Sequence, residues 1–216
     1  DEEQYPKHPD HLVQLETVLQ SRVQVYRDLY PPLSEQVYQT QLAEFSRIIR
    51  TFLAEEGRYY QETLNRPVYL EASLGMRSDG DGSDIDTDKP IPMRLADGST
   101  VRVRGRVDRI DRVGGTDVPS YIIWDYKTGS AWKYDQQDPF RQGRVVQPAV
   151  YMSMVDHRLR EAAKRKVAMA QFGFFFPGRR ERGRRIQWTP DELSAGPRVI
   201  TGLANIVPHG AFLATA

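Results

Sequence analysis

The 216-residue sequence predicts an α/β fold, a mixed central sheet flanked by helices with a helical N-terminal segment in front. Three observations predict it. Through the first third, apolar residues recur at spacings of three and four, the helical period. After Pro67 the period falls to two, as in strands whose successive side chains face opposite sides. Helical and extended patterns then alternate to the end, which is how helices come to cover a sheet.

In chain order, Leu12, Leu15, Val18 or Leu19, Val23 and Tyr26 set a first helix over 11–30. Pro31 and Pro32 stop it, because the ring removes a donor and clashes with the preceding turn. Ser34 is placed to cap a second helix reaching about Leu64, with Tyr38, Leu42, Phe45, Ile49 and Phe52 along one face. Residues 68–76 read as a strand. The Gly-, Asp- and Ser-rich stretch 78–92 carries Asp79, Asp81, Asp84, Asp86 and Asp88. Its glycine is misplaced for a calcium loop and no Glu closes it, so a mobile solvated insertion is expected.

Residues 100–113 alternate throughout and predict one strand; Gly114 and Gly115 turn the chain, and 121–127 returns as its hairpin partner. A helix over 142–166, a buried strand over 167–176, a short strand Arg184–Trp188 and a last helix over 190–207 follow. The expected organisation is a helical segment 1–66 packed on a core of 67–216, one domain overall.

Composition narrows the class. With 39% apolar and 27% charged residues, the chain can bury a real core and is not disordered, collagen-like or a coiled coil. Its most apolar short stretch, 172–176, is far below the roughly 20 residues of a spanning helix. The absence of cysteine excludes disulfides, iron–sulfur clusters and cysteine-ligated zinc within these residues, and a cytoplasmic setting is expected. No export leader is visible. The chain opens at Asp1 rather than Met, so it is expected to be a piece of something longer. The net charge of +1 hides a division: residues 1–100 hold 18 acidic and 10 basic residues, residues 101–216 hold 11 and 20. A basic half points to an anionic partner, nucleic acid being the commonest.

The chemistry-bearing residues begin with Asp125 and Lys127, which face the same side of a strand while Trp124 and Tyr126 face the other. Pairing across the hairpin can bring Asp108 close to Asp125. Two close carboxylates repel, and one takes up a proton unless a cation bridges them. Magnesium needs only one or two carboxylates beside water and phosphate, and Glu71 is a third candidate. Lys127 stands where it can orient or help deprotonate an attacking water, which makes an assembly for metal-assisted phosphodiester hydrolysis. Gln147 and Tyr151, four apart, share a helix face.

Glu71, Gly105-Arg106-Val107-Asp108-Arg109-Ile110-Asp111, Asp125-Tyr126-Lys127-Thr128-Gly129 and Gln147-Pro148-Ala149-Val150-Tyr151 occur in the order seen in the PD-(D/E)XK nuclease superfamily. Within it the chain resembles the RecB-type nuclease domains, including those of the AddB helicase–nuclease subunit and the CRISPR-associated adaptation nucleases. The resemblance implies a restriction-endonuclease-like sheet and a metal-dependent deoxyribonuclease of DNA repair, with a helicase domain or subunit as partner. It implies that Glu71, Asp108, Asp125 and the Tyr126 carbonyl bind magnesium or manganese and that Lys127 is catalytic. Gln147 and Tyr151 would contact DNA or brace the metal shell, and Arg106 and Arg109 would contact phosphate.

Two features depart from the family. The upstream histidine of many members has only His8 and His11 as counterparts. The iron–sulfur cysteines of many members are absent, although residues 209–216 look like the segment preceding them, so a cluster is expected only in a longer form. The competing expectation is a catalytically weak or inactive DNA-binding or scaffold module of the same fold. It would grip DNA through Arg179, Arg180, Arg182, Arg184 and Arg185.

Overall fold

A computed structural model of the chain describes residues 11–134 and 137–206; His8 and the stretch 209–216 lie outside them. Helix α1 (Leu12–Leu29) ends before the two prolines, and helix α2 (Glu35–Thr63) begins on Ser34. The Ser34 side chain accepts a hydrogen bond from the Val37 N–H, satisfying one of the orphan donors of the first turn. The helix closes on Leu64 in the left-handed conformation, φ 56°.

The strands are β1 (Arg66–Leu74), β2 (Ile91–Arg94), β3 (Thr100–Val103), β4 (Gly105–Arg112), β5 (Ser120–Tyr126), β6 (Ala168–Phe176) and β7 (Arg184–Trp188). Helix α3 (Gln147–Ala163) lies between β5 and β6 in the chain, and helix α4 (Gly196–Ile206) follows β7. The main sheet has the order β1-β4-β5-β6-β7, and β2 and β3 form a separate antiparallel pair. Strands β4 and β5 are antiparallel. Hydrogen bonds from Ala168 N–H to Pro119 C=O and from Lys127 N–H to Phe175 C=O advance along both chains together, so β5 and β6 run parallel. The sheet is therefore mixed, as expected.

The chain forms two compact units. The first takes in the described part of 1–66 with 126–131 and 175–185. Its helices face each other through Leu19, Val23 and Tyr26 on α1 and Tyr38, Leu42 and Phe45 on α2, leaving an open apolar groove. Its core is aromatic: the Phe52 ring meets Tyr126 at 5.8 Å and Phe175 at 5.9 Å. The second unit takes in 67–125, 132–174 and the described part of 186–216. Trp124, Phe172, Phe174, Trp188, Ile110, Ile123 and Met154 are fully buried there.

Three expectations need correction. Residues 100–113 are two strands rather than one. The half before Arg104 pairs with β2 and the half after it with β5, and an alternating pattern cannot show a change of partner. Of the stretch 78–92, residues 91–92 open β2, and the loop before them is solvated over most of its length but anchored at its middle rather than free. Ile85 within it is fully buried, Thr87 bridges to Leu74, and the guanidinium of Arg158 donates to the Ile85 carbonyl at 2.9 Å. One of its acidic residues, Asp86, serves the loop's own folding. Burial opposes ionisation of Asp86, but the hydroxyls of Ser78 and Ser83 hold its carboxyl below the usual range. Tyr69 of β1 is pushed up to about 12, by burial first and then by the Asp84 carboxylate. Finally, the last helix starts at Gly196, not at 190. Thr189 and Glu192 form a capping box, but Pro197 has no N–H to continue a helix begun there.

Candidate active site

The site is built on β4 and β5. Their register pairs Arg109 with Trp124 and Ile110 with Ile123; continued by one residue, it sets Asp108 opposite Asp125. Directly opposite residues of an antiparallel pair share a face, so these two carboxylates belong together. The intervening pair turns the other way. There Arg109 and Asp111, two apart on β4, form a bidentate ion pair of 2.6 and 2.8 Å with both side chains buried. Arg109 is thus a structural residue, and the expectation that it meets phosphate fails because its guanidinium is committed inside the core.

Glu71 comes from β1, the neighbour of β4 in the sheet. Its φ is 53°, a left-handed backbone in the middle of a strand. Such a residue bends the strand and re-aims its side chain. Its carboxyl is raised above the usual range, by partial burial first and next by the charge of Asp108, with Arg106 pulling the other way. The charge of Asp108 thus reaches the Glu71 carboxyl.

Helix α3 presents the next two residues. Pro148 sits in its first turn, where a missing N–H costs nothing, so the helix starts at Gln147 rather than at 142. The Gln147 side-chain amide donates to Oδ1 of Asp125, which is itself buried. One turn on, Tyr151 lies over Gly105 at the start of β4; a Cβ at residue 105 would stand 3.1 Å from its ring. The tyrosine ring also meets Phe172 edge-on at 6.3 Å. Gln147 and Tyr151 thus act on β5 and β4 from one helix face, as the four-residue spacing predicts.

Arg106 is half-exposed and forms a 2.6 Å ion pair with Asp79 of the 78–90 loop. Sequence reasoning missed this partner. The signal was the acidic character of the loop, which was read as solvation. Glu71, Ser78, Asp79, Asp86 and Arg106 line a small pocket. The other two expected residues fall in the first unit. The Tyr126 ring packs at 5.8 Å from Phe175, and the backbone N–H of Lys127 donates to the Phe175 carbonyl at 2.9 Å. His11 precedes α1 in that same unit.

Among the described residues no group of three or more His, Cys, Asp and Glu side chains is gathered as a metal cage. The donors nevertheless suit a hard divalent ion. Glu71 and Asp108 offer carboxylate oxygens from adjacent strands, and magnesium or manganese requires only one or two such ligands beside water and phosphate. A divalent cation held there would also offset the desolvation and, after it, the Asp108 charge that raise the Glu71 carboxyl.

Known proteins can now be set beside this geometry. No curated relative matches the chain. The family description that does match is the PD-(D/E)XK nuclease superfamily, over residues 2–214. Superfamily membership carries with it phosphodiester hydrolysis of nucleic acid, usually with a divalent metal. With acidic residues on adjacent strands of a mixed sheet and a match running over nearly the whole sequence, this chain belongs to the PD-(D/E)XK nuclease superfamily.

Proposed function

We propose that the chain is a metal-dependent deoxyribonuclease, the RecB-type nuclease domain of a repair or recombination helicase–nuclease. The observation that carries this reading is the β4–β5 register opposing Asp108 to Asp125, with Glu71 electrostatically coupled to Asp108 from β1. Glu71 and Asp108 would hold magnesium or manganese, with Asp125 and the Tyr126 carbonyl completing the shell. Once bound, the ion supplies positive charge and Lewis acidity beside the scissile phosphate.

The chain's own groups do the rest. Lys127, two residues along from Asp125, orients the attacking water. As the water oxygen bonds to phosphorus, the ester P–O bond breaks and the departing oxygen takes up a proton, leaving a phosphate and a hydroxyl. Gln147 fixes the Asp125 carboxylate through its amide, so it is a positioning residue. Tyr151 holds α3 against Gly105 and so sets the height of Gln147 over the strands.

The test is cleavage of single- and double-stranded DNA, with RNA alongside, in magnesium, manganese or EDTA. Cleavage that EDTA abolishes and Lys127→Ala cuts at least 100-fold supports the mechanism. Activity indifferent to both would end it. A second reading is favoured by the absence of a three-ligand cage among the described residues. In it the chain is a DNA grip of the same fold without turnover, recognised by salt-sensitive binding and no cleavage under any metal.

A further inference from the structure

The geometry points to a second anion-binding site, in the first unit: a groove between α2 and the β6–β7 turn that takes the sugar–phosphate backbone of a nucleic acid strand. Arg47, Arg50, Thr51, Glu55, Arg179 and Arg182 line it. It rests on the reading of the chain as a protein that handles nucleic acid, and it assigns a surface that the proposed chemistry does not use.

Construction starts at the turn. Residues 177–183 read Pro-Gly-Arg-Arg-Glu-Arg-Gly. Its one acid, Glu181, turns inward and accepts hydrogen bonds from the Ser130 hydroxyl and the Ala131 N–H, both at 2.8 Å. Arg182 N–H donates to the Gly178 carbonyl and Gly183 N–H to the Phe176 carbonyl, closing the turn. Gly183, with φ 88°, lies against Glu55 of α2 so closely that a Cβ there would collide with the glutamate side chain. One residue along α2, Glu56 pairs with Arg185 at 2.7 Å, both largely buried, and the Arg185 guanidinium lies over the Phe175 and Tyr59 rings. The turn is thus fastened to the helix at two successive points.

This fastening sorts the arginines. Arg185 is structural, contrary to the expectation that it would grip DNA. Arg184 stays near Glu181 at 3.7 Å. Arg179 and Arg182 are exposed and, among the described residues, form no ion pair. On the helix side, Arg47 and Arg50 are one turn apart, with side chains 62% and 55% exposed. Their partners are weak competitors: Glu44 stands 3.5 Å from Arg47, and Glu16 pairs with Arg50 at the surface. Glu55, the one acid in the lining, is engaged by Arg58.

Two of its four guanidinia are shared with the surface acids Glu44 and Glu16, two are not, and the lining's one carboxylate is already engaged by Arg58, so the groove is cationic on balance. The guanidinia line an open trough of about 490 Å³, contributed from Arg47 and Arg50 on α2 and from Arg179 and Arg182 on the β6–β7 turn. A single phosphate or sulfate would be bound by converging donors. A row of donors suits a row of phosphates, and arginine's planar fork matches each of them. No aromatic or amide side chain lines the trough to read a base edge, so contact is expected to be independent of sequence.

The experiment measures binding of a fluorescently labelled single-stranded oligonucleotide by anisotropy, in EDTA so that nothing is cut, across a salt titration. Arg179→Ala/Arg182→Ala is compared with wild type and with Arg102→Ala, an exposed arginine of β3. At moderate salt the double variant is expected to bind at least 10-fold more weakly on any sequence. The slope of log affinity against log salt should fall by about 1.4, from 0.7 per phosphate contact. An unchanged melting curve confirms the fold. Unchanged affinity, an equal loss in Arg102→Ala, or displacement of the oligonucleotide by polyglutamate at matched charge would each overturn the proposal. The two readings part cleanly. Cleavage by wild type with undiminished binding by the double variant removes the groove and leaves the nuclease; no cleavage under any metal with the predicted loss of binding does the reverse.

Discussion

Glu71 joins two costs in one residue, a left-handed backbone and a carboxyl raised by burial and by Asp108. A non-glycine residue so placed is strained by about 1–3 kcal/mol. Glu71→Gly is therefore expected to unfold at higher urea, by about 1 kcal/mol after the glycine's own entropic cost, while losing metal-dependent cleavage. The same residue gives a readout independent of turnover. Magnesium at 100 times its dissociation constant should stabilise wild type by about 2.7 kcal/mol in a thermal melt. Glu71→Gln and Asp108→Asn should lose that response. An equal rise in melting temperature for all three would place the ion elsewhere. The residue types of the site were legible from chemistry, because acidic groups on neighbouring strands have few innocent uses. Which arginines were spoken for was not, since a guanidinium in a period-two strand looks the same whether it meets solvent or Asp111.

Elements were legible where one period ran unbroken. The caps of α2, the end of β4, strand β5 and strand β7 lie within a residue or two of their expected places, as their punctuation by Ser34, Pro31, Pro32 and glycine required. Strand partners were not legible: 100–112 serves two sheets with one pattern, and β2 hid in a loop-like composition. Two predictions belong to elements. Asp111→Ala removes the bidentate partner of the buried Arg109 guanidinium within β4 and should cost about 3–5 kcal/mol, checked by denaturant unfolding. At the β6–β7 turn, hydrogen bonds from the Ala131 N–H and the Ser130 hydroxyl hold the Glu181 carboxyl below its usual range. Its stabilising contribution is then complete above the ordinary glutamate value and disappears as pH falls through the depressed one. Glu181→Gln should flatten that acid-side loss in a pH series of melting curves; an unaltered slope would show that the turn is held by other means.

At the scale of the whole molecule, the mixed sheet and its flanking helices agree with the family match over 2–214. The charge asymmetry between the halves foreshadowed a polyanion but not where it would lie. Arginine in the second half of the chain is divided between scaffold and surface (Arg179, Arg182) by unlike partners: Asp111 two residues from Arg109, the distant Ile85 carbonyl for Arg158 and the distant Glu56 for Arg185. That partition depends on folding and has no one-dimensional signature.

Strand β4 carries Asp108, the residue proposed for chemistry, on one side and the buried pair of Arg109 and Asp111 on the other, and the two owe each other little. Selection could erase Asp108 and leave the strand as firmly seated as before. On the proposed reading, descendants of such a chain would be free to retire from cutting while keeping their hold on nucleic acid. Active and retired copies should then share the inner arginine–aspartate lock and diverge at position 108, a pattern that comparison of homologous sequences can confirm or refute.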